Sequence, residues 1–169
     1  MTEQSTTSTV PAAVPEVTVG QMRVQTMRGL TYFYVSKRTT MEAMKADIDE
    51  LMGKVAAARA AAHIEMDGPY VFTYYIMGGD MSTFEMRIGF PVPAGTQAAG
   101  GAQVVDLGEF RCASLVYCGS LQHISRACEE LMQAMRREGL TPLAESREWY
   151  LYFEDGGSAN NVTMLQEAI

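Results

Sequence analysis

The sequence predicts an α+β fold that contains one strand–helix–strand–strand unit twice, with the two units related by a pseudo-two-fold axis. Two segments have apolar residues at helical spacing, and each is followed by two segments with strand-like composition. Corresponding segments of the two halves lie at nearly constant sequence offsets. One such unit cannot bury both a helix stripe and a sheet face by itself. We therefore expect one antiparallel sheet with the two main helices on one face and a ligand cleft between the repeats.

Length and composition fit a single domain. The chain has 169 residues, of which 47% are hydrophobic and 20% are charged, and this balance is typical of a globular protein. The first 16 residues are rich in Ser, Thr, Pro and Ala and predict a disordered tail. We expect one domain over residues 17–169, with the first repeat at about 17–95 and the second at about 102–169.

The first repeat begins with a stretch suited to strands and continues into a helix. Residues 17–37 are rich in β-branched and aromatic residues, with Gly20 and Gly29 as expected bends. Thr39 and Glu42 form a capping-box pattern that predicts the start of a helix. Strong helix formers follow, so we expect this helix to run past residue 60.

A hairpin is predicted after the first helix. The segment after Gly68 and Pro69 has strand composition, breaks at a Gly-Gly-Asp turn and resumes as a second strand. The predicted strands are 70–77 and 83–92, with the turn at 78–80. A loop rich in Gly and Ala, residues 93–101, closes the first repeat.

The second repeat has the same order of elements. A strand at 110–119 leads into a helix at 121–138, for which Ser120 is the expected N-cap and Gly139 the expected C-terminal stop. A second hairpin ends the chain, with strands at 146–153 and 161–169.

Sequence offsets support the internal repeat. An offset of 80 aligns the first long strands and the helices of the two halves, and an offset of 77 aligns the strands that follow the helices. A single three-residue change in the length of the loop after the helix explains both values. The aligned pairs are 32–37 with 112–117, 49–52 with 129–132, 70–76 with 147–153, and 84–92 with 161–169.

Charge and motif content exclude several classes of function. The net charge is −7 and no basic run is longer than two residues, so we expect no nucleic acid partner. The sequence has no apolar run long enough for a membrane span and no secretory signal, which predicts a cytoplasmic protein without membrane contact. No zinc, calcium or phosphate-binding motif is present, so we expect neither a metal nor a cofactor. The protein is expected to be a monomer or a homodimer.

The last hairpin has the residues that point most directly to a ligand. Strand alternation puts Trp149, Leu151 and Phe153 on one face and Glu148, Tyr150 and Tyr152 on the other. We expect the apolar set to pack against the helices and the acidic, aromatic set to lie on the open face of the sheet. A carboxylate among tyrosine rings suits an organic cation with a flat apolar body. The alternative is that Glu148 is a solvated strand residue beside exposed tyrosines.

The same residues resemble a known family, the GyrI-like small-molecule-binding domains with their SOUL-like fold. This family also supplies the effector-binding domains of AraC-type and MerR-type multidrug regulators. The motifs that carry the resemblance are "FEMRIGFPV" at 84–92, "REWYL" at 147–151 and "TMLQEAI" at 163–169, and it spans residues 17–169. The sequence departs from the family pattern at Met164, where the family has Glu, and at Ala168, where it has Pro.

The resemblance implies a function and a set of site residues. It implies a stand-alone protein that binds amphipathic, often cationic or aromatic, drug-like compounds for sequestration, resistance or sensing, with Glu148 as the carboxylate anchor. It implies that aromatic residues of both repeats line the cleft. The remaining candidate ligand-binding residues are Tyr75, Tyr117, Tyr150, Tyr152, Met86 and Trp149.

Two other functions are compatible with this family. Some members resemble hydrolases that open cyclopropane rings of DNA-alkylating natural products. For this chemistry Glu148 would act together with Tyr150, Tyr152 or Tyr117, and the candidate catalytic residues are Glu148 and Tyr117. Others are gyrase-inhibitor relatives that act through protein contacts. The haem-binding relatives are a poor match, because His63 and His123 have no supporting ligand pattern.

Overall fold

The computed structural model describes residues 17–76 and 82–169. The predicted tail over residues 1–16 and the predicted turn at 78–80 lie outside the described residues.

The first half of the chain has five strands and one helix. Its elements are β1 (Thr18–Val19), β2 (Arg23–Met27), β3 (Leu30–Thr39), α1 (Met44–Ala62), β4 (Val71–Ile76) and β5 (Phe84–Val92). Breaks at Gly20 and Gly29 divide the predicted strand region, as expected. Helix α1 passes residue 60, but it begins at Met44 rather than at a Thr39 capping box. The Thr39 hydroxyl instead donates a hydrogen bond to Asp47 at 2.6 Å.

The second half repeats this order with four strands. Its elements are β6 (Gln103–Leu107), β7 (Phe110–Cys118), a 3-10 turn (Leu121–His123), α2 (Ile124–Arg137), β8 (Glu145–Tyr152) and β9 (Val162–Ala168). Ser120 accepts a hydrogen bond from the backbone N–H of Gln122, so it caps the 3-10 turn that precedes α2. Gly139 has a φ of 68° and follows the end of α2, as the sequence predicts.

All described strands join one antiparallel sheet, in the order β1-β7-β9-β8-β4-β5-β3-β6, with β2 also paired to β7. One row of cross-strand partners shows how the helices cover it. The row runs through Val35, Ile88, Phe72, Glu148, Leu165 and Leu115. Its first three residues lie in the core cluster that contains residues of α1, and its last two lie in the cluster that contains residues of α2. Both helices therefore lie on the same face of the sheet.

The strand pairing defines the pseudo-two-fold axis. Offsets of 80 and 77 relate Val35 to Leu115 and Ile88 to Leu165, as predicted. Because Ile88 pairs with Phe72 and Leu165 pairs with Glu148, Phe72 and Glu148 are equivalent positions of the two repeats. They also pair with each other. The axis therefore passes between these two residues.

This equivalence corrects the predicted register of the strands after the helices. The offset between β4 and β8 is 76 rather than 77. A difference of one residue moves every side chain of a strand to the opposite face. The prediction that Phe72 corresponds to Trp149 is wrong for this reason. The predicted offset of 77 between β5 and β9 is correct, so the side chains of those two strands are assigned to the correct faces.

The short strands β2 and β6 are exchanged between the repeats. They lie 80 residues apart and precede the equivalent long strands β3 and β7, yet β2 pairs with β7 and β6 pairs with β3. Strand β6 is absent from the sequence-based prediction, which had no element between the Gly/Ala-rich loop and residue 110. Its partner is more than 60 residues away in the sequence, so no local hairpin pattern identifies it.

Candidate functional site

Glu148 faces the helices, contrary to the expectation that it lies on the open face. Its cross-strand partner Phe72 packs in the core cluster beneath α1, and so does Tyr150, two residues further along β8. Trp149 has the opposite orientation and packs with Tyr32 and Val71. The predicted face assignment of β8 is therefore reversed.

A β-bulge at Leu151 breaks the alternation of β8. Tyr150 pairs with Thr163, and Tyr152 pairs with the next residue, Val162, which leaves Leu151 without a partner in the register. Because a bulge shifts the facing of the residues beyond it, Tyr152 and Tyr150 do not share a face. Phe153 instead turns toward Tyr150, with ring centroids 6.3 Å apart in an edge-on arrangement.

The Glu148 carboxylate is held by two phenol groups. Its Oε2 accepts hydrogen bonds from the Tyr74 hydroxyl at 3.0 Å and from the Tyr150 hydroxyl at 2.7 Å. Burial raises the pKa of Glu148, and these two hydrogen bonds act in the opposite direction. Among the described residues, no Lys, Arg or His forms an ion pair with Glu148. A partly buried carboxylate without a countercharge attracts a cation, because its negative charge is only partly solvated and is not compensated.

An apolar cavity of about 390 Å³ lies beside this carboxylate. Its volume is in the range of small-molecule sites. Phe72, the cross-strand partner of Glu148, and Tyr150, one of its hydrogen-bond partners, form part of the cavity wall, although Glu148 does not line the cavity. The other lining residues come from α1, the loop after it, the 3-10 turn and the end of β8: Ile48, Asp49, Met52, Met66, Pro69, Tyr70, Leu121 and Phe153.

A larger cavity of about 610 Å³ lies between the first strands and the outer side of α2. Its wall includes the charged side chains of Arg126, Glu130, Arg137 and Glu138. The wall of the smaller cavity is by contrast mainly aromatic and apolar, and it adjoins a carboxylate without an ion-pair partner among the described residues.

The other predicted site residues lie apart from this cavity. Met86 is fully buried in the core beneath α1. The Tyr117 hydroxyl donates to the carbonyl oxygen of Ser120 at 2.7 Å and holds the loop before α2. Tyr152 is 52% exposed and donates to Glu154. Of the seven predicted residues, Tyr150 lines the cavity and Glu148 is joined to it by a hydrogen bond.

Tyr75 and Trp149 lie on the opposite face of the sheet from Glu148. Tyr75 donates to Glu145 at 3.2 Å, and the Arg87 guanidinium lies 4.5 Å from its ring centroid. Trp149 donates from its indole nitrogen to Gln166 at 2.8 Å. Both side chains belong to the packing of that face.

The sequence-based reasoning missed Tyr74, Phe72 and Tyr70. All three share the helix face of β4 or the segment just before it, and the wrong offset assigned Phe72 and Tyr74 to the wrong set. The pairing of the two hairpins is the signal that recovers them, since it requires Phe72 and Glu148 to be equivalent.

A second carboxylate, Glu167, also escaped the sequence analysis. It lies on the helix face of β9, two residues beyond the Leu165 that pairs with Glu148. Burial, and secondly the charge of Glu148, raise the pKa of Glu167 to about 7. Burial, and then the charges of Glu148 and Glu167, raise the pKa of the Cys128 thiol of α2 to about 12.

Within residues 17–76 and 82–169, no group of three or more His, Cys, Asp or Glu side chains could hold a metal ion. The helices of the described part of the chain are too short or too polar to cross a membrane.

The chain matches a family model along most of its length. The model is described as the GyrI-like small molecule binding domain and matches residues 20–165. No curated protein is significantly similar to this chain in sequence.

Several solved structures share its fold at low sequence identity. The EcmrR C-terminal domain is 16% identical with a TM-score of 0.64, over 88% of this chain and 96% of that chain. SAV2435 bound to tetraphenylphosphonium is 11% identical with a TM-score of 0.63, over 88% and 93%. A hydrolase from Listeria innocua is 13% identical with a TM-score of 0.57, over 88% and 91%. The chain spans 56% of EcmrR in the EcmrR–DNA complex.

Proposed function

This chain belongs to the GyrI-like family of small-molecule-binding domains, and we propose that it binds amphipathic organic cations with an aromatic body. We place the ligand in the cavity between α1, the 3-10 turn and the end of β8. We propose that the Glu148 carboxylate pairs with the positive charge of the ligand and that the cavity wall, which includes Phe72 and Tyr150, contacts its apolar body.

The observation that carries the proposal is the position of Glu148 in its row of cross-strand partners. The row begins and ends in apolar core, and Glu148 is its single charged member. Its repeat equivalent is Phe72, which shows that the fold accommodates a wholly apolar side chain at this position. A carboxylate that is partly buried without a cation destabilises the empty protein, and a bound cation would offset that cost.

The aromatic surroundings define which cations fit. Tyr70, Phe72, Tyr150 and Phe153 provide ring faces and edges along the cavity, and a cation over such a ring gains about 0.5 to 2 kcal/mol per contact. Met52 and Met66 add flexible walls that adapt to ligands of different shape. A delocalised or quaternary cation within an aromatic body satisfies both conditions.

The hydrogen bonds of Glu148 leave one oxygen for the ligand. Tyr74 and Tyr150 both donate to Oε2, and the described residues provide no hydrogen bond to Oε1. Tyr150 lines the cavity and also donates to Glu148, so a ligand in the cavity would contact a ring that is hydrogen-bonded to the carboxylate. The fold shared with SAV2435, which binds tetraphenylphosphonium in its solved structure, supports this class of ligand.

The proposed biological role is sequestration or sensing of such compounds, with resistance to them as the consequence. Sequestration requires only tight binding, whereas sensing requires a partner that responds to the loaded protein.

Calorimetric titration with tetraphenylphosphonium tests the proposal. Glu148→Gln keeps the size and the hydrogen-bonding oxygen of the side chain but removes its charge, so we expect affinity to fall at least about tenfold, or 1.4 kcal/mol. Glu154→Gln, an exposed carboxylate beside Tyr152, is the matched control and should bind like the wild type. Triphenylphosphine oxide, a neutral analogue, should bind both variants equally. Equal affinity of wild type and Glu148→Gln for the cation would remove Glu148 as the anchor.

Hydrolysis is the second candidate function, and the two phenol groups at Glu148 favour it. A carboxylate can position or deprotonate water, and a phenol can donate a hydrogen bond to a substrate oxygen as charge develops. Tyr74 or Tyr150 fits that second role better than Tyr117, whose hydroxyl is engaged by Ser120. The test is incubation with a panel of cyclopropane-bearing alkylators and mass spectrometry of the products. A water adduct formed by wild type and lost in Glu148→Gln would support hydrolysis, and no adduct above the blank would eliminate it.

A further inference from the structure

The helix face of the sheet has a second acidic side chain in the same neighbourhood as Glu148. In an antiparallel pair, a residue two positions beyond a direct partner lies about 7 to 8 Å away diagonally. Glu167 has this relationship to Glu148, because Leu165 is the direct partner. On its other side, Glu167 pairs with Ala113, which packs in the cluster beneath α2. Glu167 therefore lies beneath α2, next to Glu148 at the boundary between the two core clusters.

The groups that surround the two carboxylates bring no positive charge. Glu148 faces Glu167 from β8, Cys128 faces it from α2, and Tyr74 and Tyr150 contact the other side of Glu148. No described Lys, Arg or His forms an ion pair with either carboxylate. The protein thus leaves two neighbouring acidic groups without a counterion in a partly buried place.

A buried hydroxyl on the same face also has no partner. Thr163 lies between Tyr117 and Tyr150 in the sheet and is fully buried. The described residues provide no hydrogen bond to its Oγ1. Buried hydroxyls in proteins are normally satisfied by protein groups, water or ligand. Thr163 is thus a second polar group beside Tyr150 that an occupant of this face can satisfy.

We propose that Glu167 is a second carboxylate of the ligand site and that the Glu148–Glu167 pair selects ligands with two cationic groups. The inference rests on the proposed function, because it requires Glu148 to bind the first cationic group. Glu167 binds the second cationic group of the ligand. This group lies on the α2 side of Glu148, farther from the aromatic cavity than the first cationic group.

Proton balance gives the pair its selectivity. Burial, and secondly the charge of the neighbouring Glu148, raise the pKa of Glu167 to about 7, so below that pH Glu167 holds a proton while the site is empty. A ligand with one positive charge pairs with one carboxylate and leaves that proton in place. A ligand with two positive charges pairs with both, and the proton is released to solvent. Binding of a dication therefore strengthens as pH rises through neutrality, whereas binding of a monocation changes little.

Ethidium and propidium provide a matched pair of fluorescent probes. They share one phenanthridinium ring system, and propidium adds a quaternary ammonium on a short chain. At pH 8, we expect wild type to prefer propidium, and Glu167→Gln to weaken propidium about tenfold while ethidium changes less than about threefold. At pH 6, where Glu167 with its pKa of about 7 still holds its proton, calorimetry in two buffers of different ionisation enthalpy should detect proton release with propidium and not with ethidium. Glu167→Asp, which keeps the charge, should restore part of the preference.

The outcomes separate the two proposals. If Glu148→Gln weakens both dyes while Glu167→Gln affects them equally or not at all, the pair does not select dications and the inference is wrong. If neither dye binds wild type, or if Glu148→Gln binds both normally, the proposed function fails together with the inference. Glu154→Gln is the charge control, and circular dichroism with thermal unfolding verifies that each variant is folded.

Discussion

Phe72 and Glu148 are cross-strand partners, and they are also the equivalent positions of the two repeats. The pseudo-two-fold axis passes between them, so the centre of the sheet has an aromatic ring on one side and a carboxylate on the other. Two repeats with the same fold have diverged at this position, where one side chain forms the wall of a cavity and the other is a charge beside it.

Tyr150→Phe should raise the pKa of Glu148. The variant removes the shorter of the two hydrogen bonds to Oε2, and a hydrogen bond to a carboxylate stabilises its ionised form. We expect an increase in the pKa of Glu148, measured by following its side-chain carbon by NMR as pH changes. Tyr152→Phe is the matched control, because its hydroxyl bonds Glu154 on the exposed side. An unchanged Glu148 pKa in Tyr150→Phe would show that this hydrogen bond does not form in solution.

Filling one cavity at a time should identify the ligand site. Met52→Trp places a larger ring in the aromatic cavity beside α1, and Ala134→Trp does the same in the larger cavity beside α2. Tetraphenylphosphonium affinity should fall about tenfold or more in Met52→Trp, because the space for an aromatic body is lost. Ala134→Trp should retain wild-type affinity, and the reverse pattern would move the site to the larger cavity.

Glu167 should make the protein less stable as pH rises from 5 to 8. Its pKa in the folded chain is raised to about 7 from an ordinary value of 4.5, so the folded state keeps a proton that the unfolded state has lost. The stabilisation is complete below about pH 4.5 and disappears as pH rises through 7. Each pKa unit corresponds to about 1.4 kcal/mol, and we expect a decrease in the free energy of unfolding on the order of 2 kcal/mol.

Urea unfolding at pH 5 and pH 8 measures this effect. Glu167→Gln should flatten the dependence, because its side chain does not titrate. Glu154→Gln should keep the wild-type decrease, since hydrogen bonds from Ser158 and Asn160 lower the pKa of Glu154 and its titration lies at more acidic pH. A full wild-type decrease in Glu167→Gln would contradict the assignment to Glu167.

Gly89→Ala should destabilise the protein strongly. A Cβ at this position would collide with the carbonyl oxygen of Phe33 and lie 2.8 Å from the Cα of Tyr34 in the neighbouring strand. Because backbone atoms of a central strand cannot move away easily, we expect a loss of about 3 kcal/mol. Thermal unfolding measures it.

Gly53→Ala is the control for Gly89→Ala, because we expect it to change the free energy of unfolding in the opposite direction. Gly53 lies within α1, and a Cβ there would meet no other atom within 4 Å. Alanine should stabilise the helix by about 0.5 to 1 kcal/mol. A destabilisation of similar size in both variants would contradict the close approach of β3 and β5 at Gly89.

The sequence by itself determined the architecture and the unusual residue. Apolar spacing identifies both helices, alternating strand patterns identify the two hairpins, and the offset of 80 identifies the repeat, because all three depend on residues close in sequence. The family resemblance predicted from the motifs is confirmed by the match over residues 20–165. Glu148 stands out without any coordinates, since a carboxylate is rare among strand aromatics.

Only the tertiary structure decided which side of the sheet these residues face and which of them meet. A shift of one residue in strand register moves every side chain of a strand to the opposite face, and this register is set by the pairing of strands in the sheet. Within β8, the bulge at Leu151 changes the register again. The same pairing brings Tyr74, Tyr150 and Glu167 around Glu148 from three strands. Such contacts join residues up to 74 positions apart in the chain, and no local pattern records them because the side chains become neighbours only when the strands pair.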